Sequence, residues 1–238
     1  MSDAEASSRE PHGTGLAAKL NWLRAGVLGA NDGIVSTAGL VVGVAAATTS
    51  TDTLITAGVA GVGAGAISMA VGEYVSVSTQ RDSERALIEL ERRELHEAPE
   101  DEPAELVELY RMRGLSAETA RKVAEEMTAR DALAAHAEVE LGLNPAEFTN
   151  PWHAAFSSAI SFVVGALLPL AAILLPPVSA RVPVTICAVL VALALTGSVS
   201  ARLGGGSRAR AAVRVVCGGA LTMGVTYGIG QLAGVAGF

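Results

Sequence analysis

Cysteine is nearly absent from this 238-residue chain. Its two copies, Cys187 and Cys217, stand apart in apolar surroundings with no Cys-x-x-Cys or zinc-type spacing. That excludes a disulfide framework and a thiolate metal site, and the expectation is a reduced, buried pair. Equally absent are a phosphate-binding Gly-x-x-x-x-Gly-Lys loop, a Gly-x-Ser-x-Gly elbow and any nucleophile–base pair. No Glu-x-x-His occurs, which argues against a di-iron enzyme built on four ligand-bearing helices. The chain therefore reads as something other than an enzyme. Residues 1–15 are polar and lack an apolar core, so they read as a disordered tail. The apolar run that follows has no cleavable signal-peptide shape and leads into further apolar sequence.

Charge is also scarce, but only in places. Residues 80–150 hold 9 Lys/Arg and 18 Asp/Glu, whereas the remaining 167 residues hold 8 and 6. An acidic, water-soluble block is thus inserted into an apolar chain. Five stretches reach the length of about 20 apolar residues that a bilayer core requires. They run approximately over 25–47, 53–79, 154–175, 182–201 and 211–235. Leu16, Leu20 and Leu23 with Lys19 and Arg24 predict a short amphipathic lead-in, so residues 16–79 form a lead-in and spans one and two. Residues 151–238 supply the other three, with Pro169 expected to kink the third. Placing the N-terminus and residues 80–150 in the cytosol puts 16 of the 17 Lys/Arg on that side. Only Arg181 then lies outside, together with the C-terminus. A compact chain of this kind fits a prokaryotic plasma membrane.

The block itself reads as three helices. Span two continues without Gly or Pro to Glu97, and Pro103 opens a second helix with an apolar side of Leu106, Leu109, Tyr110 and Met112. Ser116 is an N-cap for a third, Ala-rich helix running to Glu140. The expected fold is all-α: a polytopic membrane protein whose three-helix cytosolic domain lies between spans two and three.

Only two acids fall inside spans, Asp32 and Glu73. An acid in lipid is costly unless it serves a partner or a polar path. Gly58, Gly61, Gly65, Ser68 and Gly72 recur at steps of three and four, making a smooth seam, and Gly65, Met69 and Glu73 form a row beside it. Gly26, Gly29, Gly33 and Ser36 repeat the spacing on span one, so the seams are expected to pack together or against a second copy. Two carboxylates (Asp32, Glu73), the Asn31 amide and the Met69 thioether at matched depth suit a partly dehydrated transition-metal cation. In the block, Glu91 and Glu94, Glu102 and Glu105, and His136 and Glu140 are spaced to share helix faces. Spacing alone leaves two readings open there, a divalent-metal site or solvated acidic faces.

At Asn31-Asp32-Gly33-Ile34-Val35-Ser36-Thr37, at Gly65 to Ser76 and at Glu140-Leu141-Gly142, the sequence resembles the vacuolar iron transporter family from Leu20 to Gly234. The resemblance implies a homodimer in the lipid bilayer that exports Fe2+, and often Mn2+, in exchange for protons. It implies no prosthetic group and no nucleic-acid partner, with Zn2+ a further ion that binds. It assigns the transport pathway to Asp32, Met69 and Glu73, and metal binding to Glu91, Glu94, Glu102, Glu105 and Glu140. His136-Ala137 stands where eukaryotic relatives carry a Met pair, and imidazole is a candidate replacement ligand that would make loading sensitive to pH. The alternative is a membrane-tethered metal sensor or buffer without transport.

Overall fold

A computed structural model describes residues 15–236 except Glu147, with the side chains of residues 15–25 and Leu203 also left aside. Residues 1–14 of the expected disordered tail and residues 237–238 lie outside the described residues, while Gly15 begins the first helix. Within them the chain is helical and contains no strand. The helices are α1 (Gly15–Ala47), α2 (Thr51–Glu97), α3 (Glu102–Met112), α4 (Ala117–His136), α5 (Pro151–Leu174), α6 (Arg181–Leu203) and α7 (Arg208–Ala236). Five of them, α1, α2, α5, α6 and α7, contain stretches long and apolar enough to cross a membrane. The expected lead-in is continuous with span one in α1 rather than a separate helix. Pro169 lies inside α5, which continues past it to Leu174.

Contacts divide the chain into two units, one comprising residues up to Tyr74 with those from Pro151 onward, the other Val75–Asn150. In the first, α1 packs against α5, α6 and α7. Ile34, Ala38 and Val42 of α1 meet Val189 and Leu193 of α6 and Met223 of α7, while Val41, Leu54 and Ile173 form a second cluster. Small residues let the backbones touch. A Cβ at Gly33 would run into the Phe162 carbonyl of α5, and one at Gly165 into the Ala30 carbonyl of α1. On α7, Gly230 stands against Gly43 of α1 in the same way. The α1 seam thus faces α5, not α2. In α2, by contrast, the notches at Gly58, Gly61 and Gly65 receive the side chains of Leu170, Leu40 and Phe162, and Gly72 meets nothing. The expected backbone-to-backbone packing of the two seams is therefore replaced, within the chain, by bulky side chains seated in glycine notches.

The turn between α1 and α2 is tied down by Arg181, which is buried at the start of α6. Its guanidinium donates to the Thr49 carbonyl at 3.4 Å and to Thr51 Oγ1 at 2.8 Å. Cys187 and Cys217 are free and exposed, which corrects the expectation of a buried pair. On helices that cross a membrane, an apolar position is as well served by lipid as by protein.

In the second unit, α3 and α4 pack around Leu106, Ala124, Ala135 and Val139, with Leu109 and Tyr110 beside them, whereas Met112 is exposed. Ser116 caps α4, its Oγ accepting from the Thr119 N–H at 3.2 Å. The expected single helix to Glu140 is interrupted twice. Asp131 takes extended backbone angles, φ −164° and ψ 98°, and its Oδ1 accepts from the Ala134 N–H at 3.0 Å. It thereby caps a new helical segment inside α4. That segment then widens into a π-helix over Ala137–Leu141, ended by Gly142 at φ 66°. Arg113 donates to the Val139 carbonyl and pins this turn to the end of α3.

Candidate metal centre

The interruptions in α4 determine where its polar residues point. The segment capped by Asp131 carries His136, which is completely buried. From α2 comes Glu91, and from the first turn of α3 comes Glu102, both buried as well. His136 Nδ1 lies 3.0 Å from Glu91 Oε1 and 3.4 Å from Glu102 Oε2. The contact with Glu91 is off the hydrogen-bond direction, so Glu91 Oε1 and both ring nitrogens have no hydrogen-bond partner. Buried polar atoms left in this way are costly. For ligand bonds of about 2.1 Å, the separations between neighbouring ligands are about 3.0 Å in an octahedron and about 3.4 Å in a tetrahedron. The three groups are thus spaced as ligands of one ion, and an imidazole with carboxylates suits first-row divalent metals.

Charge points the same way. Burial pushes the Glu91 carboxyl up to about 7, helped by the neighbouring Glu140, Glu102 and Glu94 and by a hydrogen bond with Glu140. Glu102 is raised first by burial and then by Glu105, Glu94, Glu140 and Asp101. His136 is lowered by burial, against the pull of Glu140 and Glu105. Every charged group in these effects is a carboxylate, so a cation is the missing counter-charge.

Of the six metal residues expected in the acidic block, the structure brings Glu91, Glu102 and His136 together, while Glu140 is exposed and acts on Glu91 from beside the cluster. Glu94 and Glu105 are exposed, close enough to act through their charge but outside the three-residue cluster.

The first unit holds a separate polar cavity of about 210 Å3. Asp32, Ser36, Thr37, Ser68 and Met69 line it, with Leu40, Gly61, Gly65 and Phe162 as its apolar wall. Asp32 and Met69 are therefore brought together. Glu73 is not part of this wall. Asn31 turns away from it, its Oδ1 accepting from Thr196 Oγ1 of α6 at 2.6 Å, so the expected amide ligand is instead a tie between helices. The hydroxyls of Ser36, Thr37 and Ser68 were not singled out by sequence, although Ser36 and Ser68 occupied the small-residue seams. Ser36 Oγ donates to the Asp32 carbonyl at 2.6 Å, leaving its lone pairs free to accept.

These features define a multi-pass α-helical membrane protein whose described residues include a buried carboxylate–imidazole cluster and, among the apolar helices, a cavity that Asp32 and three hydroxyls help to line. A model of the VIT family matches residues 23–231, and the chain belongs to that family. It is 43% identical over 219 residues to a vacuolar iron transporter from Acanthamoeba castellanii, covering 89% of this chain and 78% of that one. It is 39% identical over 239 residues to vacuolar iron transporter homolog 1 of Oryza sativa subsp. japonica, covering 99% and 85%. Vacuolar iron transporter homolog 2 of Arabidopsis thaliana is 36% identical over 217 residues, covering 91% and 86%.

Proposed function

We propose that the chain transports a divalent transition metal, Fe2+ or Mn2+, out of the cytosol in exchange for protons. The observation that carries this reading is the Glu91–Glu102–His136 cluster, whose buried, unpartnered ligand atoms are spaced to hold one cation. Residues 80–150 are then a cytosolic three-helix domain, as the basic residues argue. There the cluster collects the metal, with Glu140 at its edge and Glu94 and Glu105 adding attraction. Within the membrane the ion passes Asp32 and Met69 and is solvated by the hydroxyls of Ser36, Thr37 and Ser68. Glu73, one helical turn beyond Met69, stands on the approach. Protonation of these carboxylates weakens their hold on the metal, which couples release to protons moving inward. Two copies of the chain facing each other through α2 would enclose the pathway: α2 and α7 are both left largely uncovered by their own chain, and of the two α2 is the one that lines the cavity, with Gly61, Gly65, Ser68 and Met69.

The test is flux into sealed vesicles containing the full chain, offered Fe2+, Mn2+ and Zn2+ with and without a pH gradient. Gradient-driven metal uptake is expected, together with proton movement in the opposite direction, and Asp32→Ala should reduce it to background. Uptake that persists when both Asp32→Ala and Glu73→Ala are present would sink the mechanism. The second reading, a tethered sensor or buffer, has one observation in its favour: the cluster is complete within Val75–Asn150. It predicts tight metal binding by the full chain with no flux at all.

A further inference from the structure

The seam on α2 is filled unevenly. At Gly58 a Cβ would come within 2.5 Å of Leu170 Cδ2, and at Gly61 and Gly65 it would strike Leu40 Cδ2 and the Phe162 ring. At Gly72, on the other side of Ser68 and Met69, nothing lies within 4 Å. The cavity at Asp32 has both Leu40 and Gly61 in its wall, and one turn nearer the start of α2 Leu170 fills the notch at Gly58. These contacts differ from those that hold α1 to α5. Gly33 and Gly165 meet backbone carbonyls, which cannot withdraw without separating the helices. Leu40, with more than a third of its surface exposed, and Leu170 can change rotamer. Phe162 is held more firmly, because its own carbonyl is wedged at Gly33.

We propose that Leu40 and Leu170, seated in the notches at Gly61 and Gly58, form the gate that closes the pathway beyond Asp32 and Met69. This rests on the reading above that the Asp32–Met69 cavity lies on the route of the ion. Towards the Thr51 end of α2 both notches are filled by these leucines, whereas at Gly72, beyond Met69, no described side chain fills the notch. An ion at Asp32 is therefore held until the two leucines leave their seats. The barrier is apolar and dehydrating, which a divalent cation does not cross alone.

The test reads water access and does not depend on transport. In the full chain carrying Cys187→Ser and Cys217→Ser, Ser36→Cys places a thiol in the cavity wall. Sealed vesicles are treated with a charged, membrane-impermeant thiol reagent from either face. With the gate intact, labelling is expected from one face only. Leu40→Ala with Leu170→Ala should raise the rate from the closed face at least tenfold. Gly61→Ala, which keeps Leu40 but denies it a seat, should act in the same direction. Should the double variant not fold, Gly61→Ala and Leu40→Ala alone carry the test. Val189→Ala, in the α1–α6 core and seated in no notch, should leave sidedness unchanged. Labelling from both faces before any substitution overturns the proposal. So does one-sided labelling that none of the gate variants alters. Absence of metal flux with sidedness and its loss as expected would overturn the transport reading while leaving the gate in place.

Discussion

At Glu91 the usual order of protonation is displaced, and the consequence for stability has a definite sign. The folded chain keeps this proton up to about 7, whereas an ordinary Glu loses it near 4.5. Between those values the folded state binds more protons than the unfolded state, so the metal-free protein loses stability as pH rises through that window. Glu102, also raised, acts in the same sense. His136 opposes them: held neutral by burial, it favours the unfolded chain as pH falls below its ordinary value of 6.5. Above 6.5 the imidazole no longer opposes them, so the carboxylates set the sign there. The melting temperature of metal-free protein is therefore expected to drop between about pH 6.5 and about pH 8, and Glu91→Gln to flatten that slope. Bound Mn2+ should reverse it, because loading displaces the protons. A melting temperature that climbs across this range without metal would contradict the assignment. His136→Met tests the ligand itself. Replacing imidazole by a thioether should lower affinity for Zn2+ by about 10-fold to 100-fold and remove the pH dependence contributed by the ring, measured by titration calorimetry.

Among the elements, α4 shows how a site is aimed by breaking a helix. Asp131→Ala removes the internal cap, at a cost of about 1 kcal/mol, and lets α4 run on straight. His136 then leaves Glu91, and metal affinity should fall about tenfold. Asp131→Asn, which caps equally well, should retain it, since a shape-dependent role is indifferent to the charge. Equal weakening by both would show that charge and not the break matters. Neither the break nor the π-helix was legible in sequence, because residues 117–141 contain no Gly or Pro and are rich in Ala, and a single Asp at 131 does not by itself mark an internal cap. Beyond the break, Ala135 and Val139 pack against Leu106, a tertiary contact that local sequence does not announce. What was legible is what composition controls over long windows: five apolar helices and the unbroken run of α2 through Tyr74 to Glu97. Which helix a glycine seam faces was not legible, since a seam states only that something comes close. Gly33→Ala should destabilise the chain by about 1–3 kcal/mol or more as the Cβ meets the Phe162 carbonyl. Gly63→Ala, facing open space, should be neutral or stabilise slightly.

For the molecule as a whole, the charge distribution already marked residues 80–150 as distinct, and the structural division falls at Val75–Asn150. The proposed pairing of two copies makes a direct prediction. The 24.1 kDa chain should behave in detergent as a species of twice its polypeptide mass by light scattering. Among the described residues nothing lies within 4 Å of a Cβ placed at Gly72, so Gly72→Trp should leave the protomer intact and shift that mass to a single copy if α2 is the shared surface. A mass unaffected by this substitution would move the interface elsewhere.

Arg181 gives these parts a common geometry. By gripping Thr49 and Thr51, it makes the start of α2 a fulcrum. Gly58 lies about 10 Å along the helix from that point and Gly72 about 30 Å. A tilt of about 5° would therefore shift Gly58 by only about 1 Å and Gly72 by about 3 Å. The end of the lever nearest the pin stays engaged with its leucines through small rocking motions, while the far end swings widely. Unseating the near end would take a larger rotation, so in the proposed passage the two ends would respond to different amplitudes of one tilt.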